Sequence, residues 1–170
     1  MIFQDWKINN GNLKARFVLV SFRLAQFFRN SPNPIFLCSI PYLIYYRIFI
    51  EWILGIELPW NLNVGRDLRI YHGQALVIND GVRIGERCIL RQSTTIGHKG
   101  CESDGFTSSP IIGNDVDIGA NVVIIGNVII GNNVTIGAGS VVVKSLESNG
   151  VYAGNPAKLL IKKTVKNPLI

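Results

Sequence analysis

An aliphatic residue recurs at every sixth position in the second half of the chain, and a second small or apolar residue recurs four positions after each of its members. The first series is Ile112, Ile118, Ile124, Ile130, Ile136 and Val142, and the second is Val116, Val122, Val128, Val134 and Ser140. Six residues suffice for one short strand and one turn, but they cannot bury their own apolar face, so successive units must stack. The repeat therefore predicts a mainly β protein, a parallel β-helix with three faces per coil.

The repeat extends upstream and is interrupted twice. The step from Ile70 to Ile78 is eight residues, and the step from Ile96 to Ile112 is sixteen. The longer step predicts a protruding loop over residues 98–110. A regular solenoid face offers little concavity, and functional residues favour loops on rigid scaffolds. Both interruptions are therefore predicted functional sites.

Residues 1–55 lack the repeat and are predicted to be helical. Residues 30–34 contain two prolines and separate two apolar segments, and Pro41 and Gly55 are expected near the start and just past the end of the second helix. The uninterrupted apolar run over residues 35–46 is shorter than the roughly twenty residues that span a bilayer. Two interpretations remain: a helix that packs or oligomerises, and a helix that makes peripheral contact with a membrane surface. Residues 56–146 form the predicted β-helix and residues 147–170 a C-terminal tail.

The composition excludes several classes of function. The 17 basic and 11 acidic residues give a net charge of +6, but the basic residues form no run, so nucleic-acid binding is not expected. Three cysteines without metal-ligand spacing favour a reduced, cytoplasmic compartment. No metal site is predicted, because two histidines cannot supply the three imidazoles that a zinc carbonic anhydrase on the same scaffold would need.

Both histidines lie at the interruptions of the repeat. His72 falls within the eight-residue step, and His98 opens the insertion. A neutral imidazole can take a proton from a hydroxyl near neutral pH, provided that a partner orients its other nitrogen. Glu57 precedes His72 by fifteen residues, so one coil could bring the two side chains together. The alternative for His72 is a histidine that only fills a corner, and for His98 a solvated loop residue. The alternative for Glu57 is an ordinary solvated acid.

The segment from Ile56 to Arg66, together with Ile70-Tyr71-His72-Gly73, resembles the start of the catalytic domain of bacterial serine acetyltransferases and the related polysaccharide O-acetyltransferases of the colanic-acid type. This resemblance implies a left-handed β-helix, with His72 as the catalytic base and Glu57 as the acid that orients it. It also implies acetyl-CoA as the donor, direct transfer without a metal, and a homotrimer whose grooves lie between neighbouring subunits.

The resemblance continues through the glycine–alanine corners and the Ala-Gly-Asn-Pro-Ala turn near the C-terminus. In the family these segments bind the pantetheine arm of the donor and close its groove. The residues predicted to contact acetyl-CoA are Gly119, Ala120, Gly137, Ala138, Gly154, Pro156 and Lys158.

This chain departs from serine acetyltransferases at the acceptor site. That family has Asp directly before the catalytic histidine and an Arg-His pair before the proline that ends the insertion, whereas this chain has Tyr71, Ser108 and Ser109. Free serine would lose charge-assisted contacts worth roughly 1.5–3 kcal/mol each, and the ring and hydroxyl of Tyr71 suit a sugar better. The predicted acceptor-site residues are Tyr71, His98, Lys99, Ser108 and Ser109.

The sequence thus predicts transfer of acetyl to a sugar hydroxyl of a surface polysaccharide or its precursor. The basic charge and the aromatic N-terminal helices would suit an acidic or lipid-linked glycan at the inner face of the membrane. Two alternatives stay open, a short serine acetyltransferase and a β-helix that serves only as a scaffold.

Overall fold

The computed structural model describes residues 1–99 and 109–163, and in these ranges fifteen short strands wind around a common axis in three sheets. Face A contains β1 (Ile56–Glu57), β4 (Leu76–Ile78), β7 (Thr95–Gly97), β10 (Val123–Ile125) and β13 (Val141–Val142). Face B contains β2 (Asn63–Val64), β5 (Arg83–Ile84), β8 (Ile111–Ile112) and β11 (Ile129–Ile130). Face C contains β3 (Arg69–Tyr71), β6 (Ile89–Arg91), β9 (Asp117–Ile118), β12 (Thr135–Ile136), β14 (Gly150–Ala153) and β15 (Lys158–Lys162). From β1 to β13 successive strands follow the order A, B, C and pair in parallel, which confirms the predicted parallel β-helix.

The repeat positions form the core of the prism. The residues of the six-residue series that point inward are almost fully buried: Ile78, Ile84, Leu90, Ile96, Ile112, Ile118, Ile124, Ile130, Ile136 and Val142. The second series lines the corners, where Thr94 and Ser140 donate hydrogen bonds to the carbonyl oxygens of Gly119 (3.2 Å) and Gly137 (2.6 Å). These bonds satisfy hydroxyl groups that burial would otherwise penalise.

The strand register shows what the two interruptions do to the coil. Glu57 pairs with Val77, twenty residues on, whereas Val77 pairs with Thr95 after eighteen. Thr95 then pairs with Val123 after twenty-eight residues, and Val123 with Val141 after eighteen again. The regular coil is therefore eighteen residues. The first interruption adds two residues and the second adds ten, while the strands on either side stay in register.

The helical segment consists of α1 (Leu13–Arg29), α2 (Asn33–Tyr46) and a π-helical continuation over Arg47–Ile53. α2 begins at Asn33, so Pro41 lies inside the helix and not near its start as predicted. Pro34 suits the first turn, where no amide hydrogen bond is required. Burial of Leu43 and Tyr46 against the rest of the protein favours continuation of the helix past Pro41.

The helix over Asn33–Ile53 is longer than the apolar run suggested. Its 21 residues have a mean hydropathy of 1.3 over the most apolar window, so length and composition alone would allow it to span a membrane. Its two charged residues, Arg47 and Glu51, form an ion pair one turn apart (3.2 Å). One side of the helix packs on the protein and the other is exposed.

Side chains of residues 5–46, from the N-terminal turns to the end of α2, bind the backbone of the first coil, residues 56–75, which has no preceding coil to pair with. Asp5 accepts a hydrogen bond from the amide of Leu68 (2.9 Å). Carbonyl oxygens of the first coil accept six further hydrogen bonds from side chains: Asn9 donates to Leu68 (2.8 Å), Asn12 to Ile70 (3.1 Å), Arg23 to Val64 (3.0 Å) and Gly65 (2.6 Å), Gln26 to Leu62 (2.8 Å), and Tyr46 to Leu58 (2.7 Å). These bonds cap the N-terminal end of the prism.

The other end of the prism is closed by the chain itself. β14 continues face C, and β15 pairs with it in an antiparallel arrangement. Leu146 forms an isolated bridge with Ile130, and the Tyr152 hydroxyl donates to the carbonyl oxygen of Glu147 (3.1 Å). Residues 147–163 therefore contain the final rung of the prism and the strand that folds back over it.

Candidate active site

The predicted base, His72, lies in the turn between β3 on face C and β4 on face A, and we call the line of such turns the C–A edge. The extra residues of the first coil are accommodated here by left-handed backbone, with φ of 65° at His72 and 78° at Gly73. A side chain at Gly73 would press on Ile70 and Ile56 in the core. The tight turn leaves the imidazole exposed on the outside of the prism.

The surroundings of His72 are basic and aromatic. The guanidinium groups of Arg69 and Arg91 lie 5.6 and 5.5 Å from the ring centroid of Tyr71. Arg69 also donates a hydrogen bond to the Tyr71 hydroxyl (3.0 Å), while Arg91 pairs with Asp117. The residue before the predicted base is therefore an aromatic ring with two cations close to it, which suits a polar or anionic acceptor better than an ammonium group.

Glu57 projects outward from β1 on face A. It lines a cleft of about 610 Å³ between this face and the helical segment, which we call the polar cleft. His98 lines the same cleft from the end of β7, and Asp80 lines it from the turn after β4. The structure therefore brings Glu57 and His98 to one cleft. Among the described residues His72 is not part of its lining and lies instead on the C–A edge of the same face.

Two arginines of the helical segment complete the polar cleft. Arg29 ends α1 and Arg47 follows α2, and both line the cleft opposite Glu57, together with Trp60. The sequence analysis did not identify these residues, because no repeat or motif connects them to Glu57. They come together only because α2 packs over the first coil.

The residues predicted to bind acetyl-CoA lie on the C–A edge, the edge that carries His72. Gly119 and Ala120 follow β9, and Gly137 and Ala138 follow β12. A side chain at Gly119 would come within 2.8 Å of backbone atoms of the next coil, so close stacking of coils by itself requires glycine there.

The C-terminal turn lies at the end of the same edge. The Val141 amide donates a hydrogen bond to the carbonyl oxygen of Gly154 (3.0 Å), and the Ala157 amide donates one to the carbonyl oxygen of Val141 (2.8 Å). Pro156 follows a cis peptide bond, and Lys158 is exposed at the start of β15.

The insertion supplies the remaining predicted acceptor residues. Lys99 is exposed and lines a smaller cleft with Ile125 and Val141 on face A, next to the polar cleft. Ser109 packs against Gly81 at the turn between faces A and B. Ser108 lies outside the described residues. In the described ranges, no three His, Cys, Asp or Glu side chains are grouped so that they could hold a metal.

Three comparisons with known proteins agree with this architecture. The family pattern described as "Bacterial transferase hexapeptide (six repeats)" matches residues 109–144. WcaB of Escherichia coli (strain K12), named as a colanic acid biosynthesis acetyltransferase, is 36% identical over 167 residues, which cover 95% of this chain and all of WcaB. The chain belongs to the hexapeptide-repeat acetyltransferases. It is accordingly an acetyltransferase, and its parallel β-helix is left-handed.

Serine acetyltransferases are also similar to this chain. Serine acetyltransferase 4 of Arabidopsis thaliana is 35% identical over 111 residues, which cover 65% of this chain and 31% of the plant enzyme. The structure of serine acetyltransferase from Brucella abortus strain S19 in complex with coenzyme A superimposes with a TM-score of 0.80. It is 23% identical, and the match covers 95% of this chain and 67% of that one. This structural likeness shows a common fold.

Proposed function

We propose that this acetyltransferase transfers acetyl from acetyl-CoA to a sugar hydroxyl during the synthesis of a surface polysaccharide. The observation that carries the proposal is the full-length similarity to WcaB, which extends through the helical segment. The similarity to the plant serine acetyltransferase covers a smaller share of this chain. The polar cleft, with its arginines from the helical segment, supports an acceptor larger than an amino acid.

In the proposed reaction His72 takes the proton of the acceptor hydroxyl as the oxygen attacks the thioester carbonyl of acetyl-CoA. Collapse of the tetrahedral intermediate expels the CoA thiolate, which takes the proton back from the imidazolium. Glu57 orients the imidazole, and backbone amides along the C–A edge stabilise the oxyanion. The exposure of His72 and the position of the predicted acetyl-CoA residues on its edge support this assignment.

The proposed assembly is a homotrimer in the cytoplasm. His72 lies at one edge of face A and His98 at the other, so a cyclic arrangement that packs unlike edges together would bring the two histidines to one site. Such a site would include the polar cleft, which Glu57 and His98 line. The exposed side of α2 would leave the helical segment free to contact the inner face of the membrane.

Serine O-acetylation is the second candidate, favoured by the similarity to serine acetyltransferases in sequence and in fold. Its substrate would need cationic and anionic partners, and the cleft provides both in Arg29, Arg47, Glu57 and Asp80. The two candidates therefore require a direct comparison of acceptors.

The test measures CoA release from acetyl-CoA with free serine, nucleotide sugars and acidic oligosaccharides. We expect turnover on a glycan, and His72→Ala should lower kcat/KM by about 10²–10⁴, the range for loss of a general base. Lys7→Ala, on the exposed surface of the N-terminal turn region, is the control and should keep full activity. Turnover on serine alone, or full activity of His72→Ala, would refute the proposal.

A further inference from the structure

Two clefts of different character meet beneath α2. The polar cleft contains Glu57 and His98, as described above. Its neighbour has a volume of about 390 Å³, and we call it the apolar groove. The groove is lined by Phe36, Ile40, Leu43, Ile44, Ile48 and Trp52, together with Arg47 and Trp60. Arg47 and Trp60 also line the polar cleft, so the two spaces are neighbours that share part of their walls.

The boundary between the two spaces is built from two arginine–aromatic pairs. The guanidinium of Arg29 lies 5.4 Å from the ring centroid of Phe36, and that of Arg47 lies 4.8 Å from the centroid of Trp60. Both arginines line the polar cleft, and both rings line the apolar groove. An anionic group at this boundary would meet two guanidinium groups, whose planar donors suit phosphate oxygens.

The cations remain accessible. Arg29 is exposed at the end of α1. Arg47 keeps 54% of its side chain exposed although its Nε lies 3.2 Å from Glu51.

Most of the groove lining belongs to an apolar stripe along α2 and its π-helical continuation, which is exposed in the described part of the chain. The members of the stripe recur at three- and four-residue spacing on the side away from the buried Tyr46 and Ile50. They are Leu37, Ile40, Ile44, Ile48 and Trp52, with exposed fractions of 61%, 39%, 54%, 43% and 74%. A contiguous exposed apolar surface of this kind marks a binding site. Because the groove adjoins the cleft of Glu57 at Arg47 and Trp60, we infer that its occupant is part of the acceptor.

We propose that the acceptor is an amphiphile, a sugar joined through phosphate to a long aliphatic chain. The sugar would lie in the polar cleft near Glu57, the phosphate at Arg29 and Arg47, and the chain along the apolar groove. This inference rests on the proposed glycan acetylation and names the form in which the glycan is presented. A nucleotide sugar provides phosphate without the chain, and a free oligosaccharide provides neither.

The binding experiment uses dodecyl phosphate below its micelle concentration, followed by the fluorescence of the tryptophans in the groove. We expect each of three variants to weaken binding at least about tenfold. Arg47→Gln and Arg29→Gln each remove one charge-assisted contact to the phosphate, and Ile44→Glu places a charge in the apolar groove. Leu13→Glu places the same charge at another exposed leucine or isoleucine position, at the start of α1, and should leave the affinity unchanged. Inorganic phosphate and dodecanol should each bind at least about tenfold more weakly than dodecyl phosphate.

Three results would overturn the inference. One is an affinity for dodecyl phosphate that Ile44→Glu does not change. A second is a change of mass in solution caused by Ile44→Glu, which would make the groove a contact between copies of the chain. A third is binding to phosphatidylglycerol vesicles without binding to dodecyl phosphate, which would assign the stripe to a membrane surface.

A turnover experiment separates this inference from the proposed function. The wild type is given one oligosaccharide in free form and joined through phosphate to a lipid, and we expect kcat/KM to be at least about tenfold higher for the lipid-linked form. Equal rates, both abolished in His72→Ala, would overturn the inference and leave the proposed function standing. Acetylation of serine in place of either glycan would overturn both.

Discussion

Removal of the buried carboxylate Asp5 should cost far more stability than removal of an exposed one. Asp5 is 2% exposed and Arg23 is 6% exposed, and the carboxylate accepts two hydrogen bonds from the guanidinium (2.7 and 3.3 Å). It accepts a third from the amide of Leu68 (2.9 Å). In Asp5→Ala the Arg23 charge stays buried without its counter-ion, and breaking a buried pair in this way costs about 3–5 kcal/mol. We expect a loss of this size in the free energy of unfolding.

The control is Asp115→Asn, which removes the charge from the pair between Arg87 and Asp115, whose side chains are both 45% exposed, and keeps a residue type that tolerates the φ of 58° at this position. Solvent screens this pair, so the expected cost is below about 1 kcal/mol. Urea unfolding followed by circular dichroism, at one protein concentration, measures both variants. The double variant Asp5→Leu with Arg23→Met should recover part of the loss, because apolar replacements leave no buried charge. Equal small costs for the two single variants would refute the reasoning.

Three further perturbations test other parts of the fold. Gly65→Ala should destabilise the protein by about 1–3 kcal/mol, because the added carbon lies 2.6–2.7 Å from backbone atoms of the next coil. Among the described residues, the nearest atom to a carbon added at Gly97 is 3.8 Å away, so Gly97→Ala should change the melting temperature little. Cys88, whose pKa burial raises to about 11, should escape iodoacetamide at about pH 8, and its labelling in the native protein, detected by peptide mass, would contradict the structure. The hydrogen bond from Arg87 lowers the pKa of the Asp115 carboxyl in the folded state. The stability that this pair provides is therefore fully present above the usual aspartate pKa of about 3.9, and it is lost as the pH falls through the lowered pKa of the folded state. The difference in unfolding free energy between wild type and Arg87→Gln should therefore shrink on acidification, and a difference that grows would show the sign to be wrong.

The periodic part of the fold could be predicted from sequence because it depends on local spacing. Each six-residue unit places one aliphatic side chain inward, so the positions of Ile78 and Ile136 in the core follow from counting residues. The two interruptions could be located in the same way, since the register of the flanking strands does not change. The β-strand beginning at Gly150 was assigned to the tail, because the aliphatic series stops before it.

Contacts between distant segments could not be predicted in this way. The sequence predicted a second helix starting near Pro41, but burial of Leu43 outweighs the preference of proline for a helix start. Glu57 and His98 share a cleft with Arg29 and Arg47, and the sequence did not predict a role for these two arginines. Membership of this cleft depends on how α2 packs over the first coil, and no local pattern carries that information.

The side-chain bonds that close the first coil also limit the growth of the molecule. Unpaired backbone groups at the end of a solenoid form a template onto which strands of another copy can add, as at any open sheet edge. Asn9 and Arg23 occupy those groups with bonds that a neighbouring strand would otherwise make. A chain shortened to begin at the first coil would leave these backbone groups open to a strand of another copy. The N-terminal segment thus closes this end of a β-helix of about four turns against a further copy of the chain.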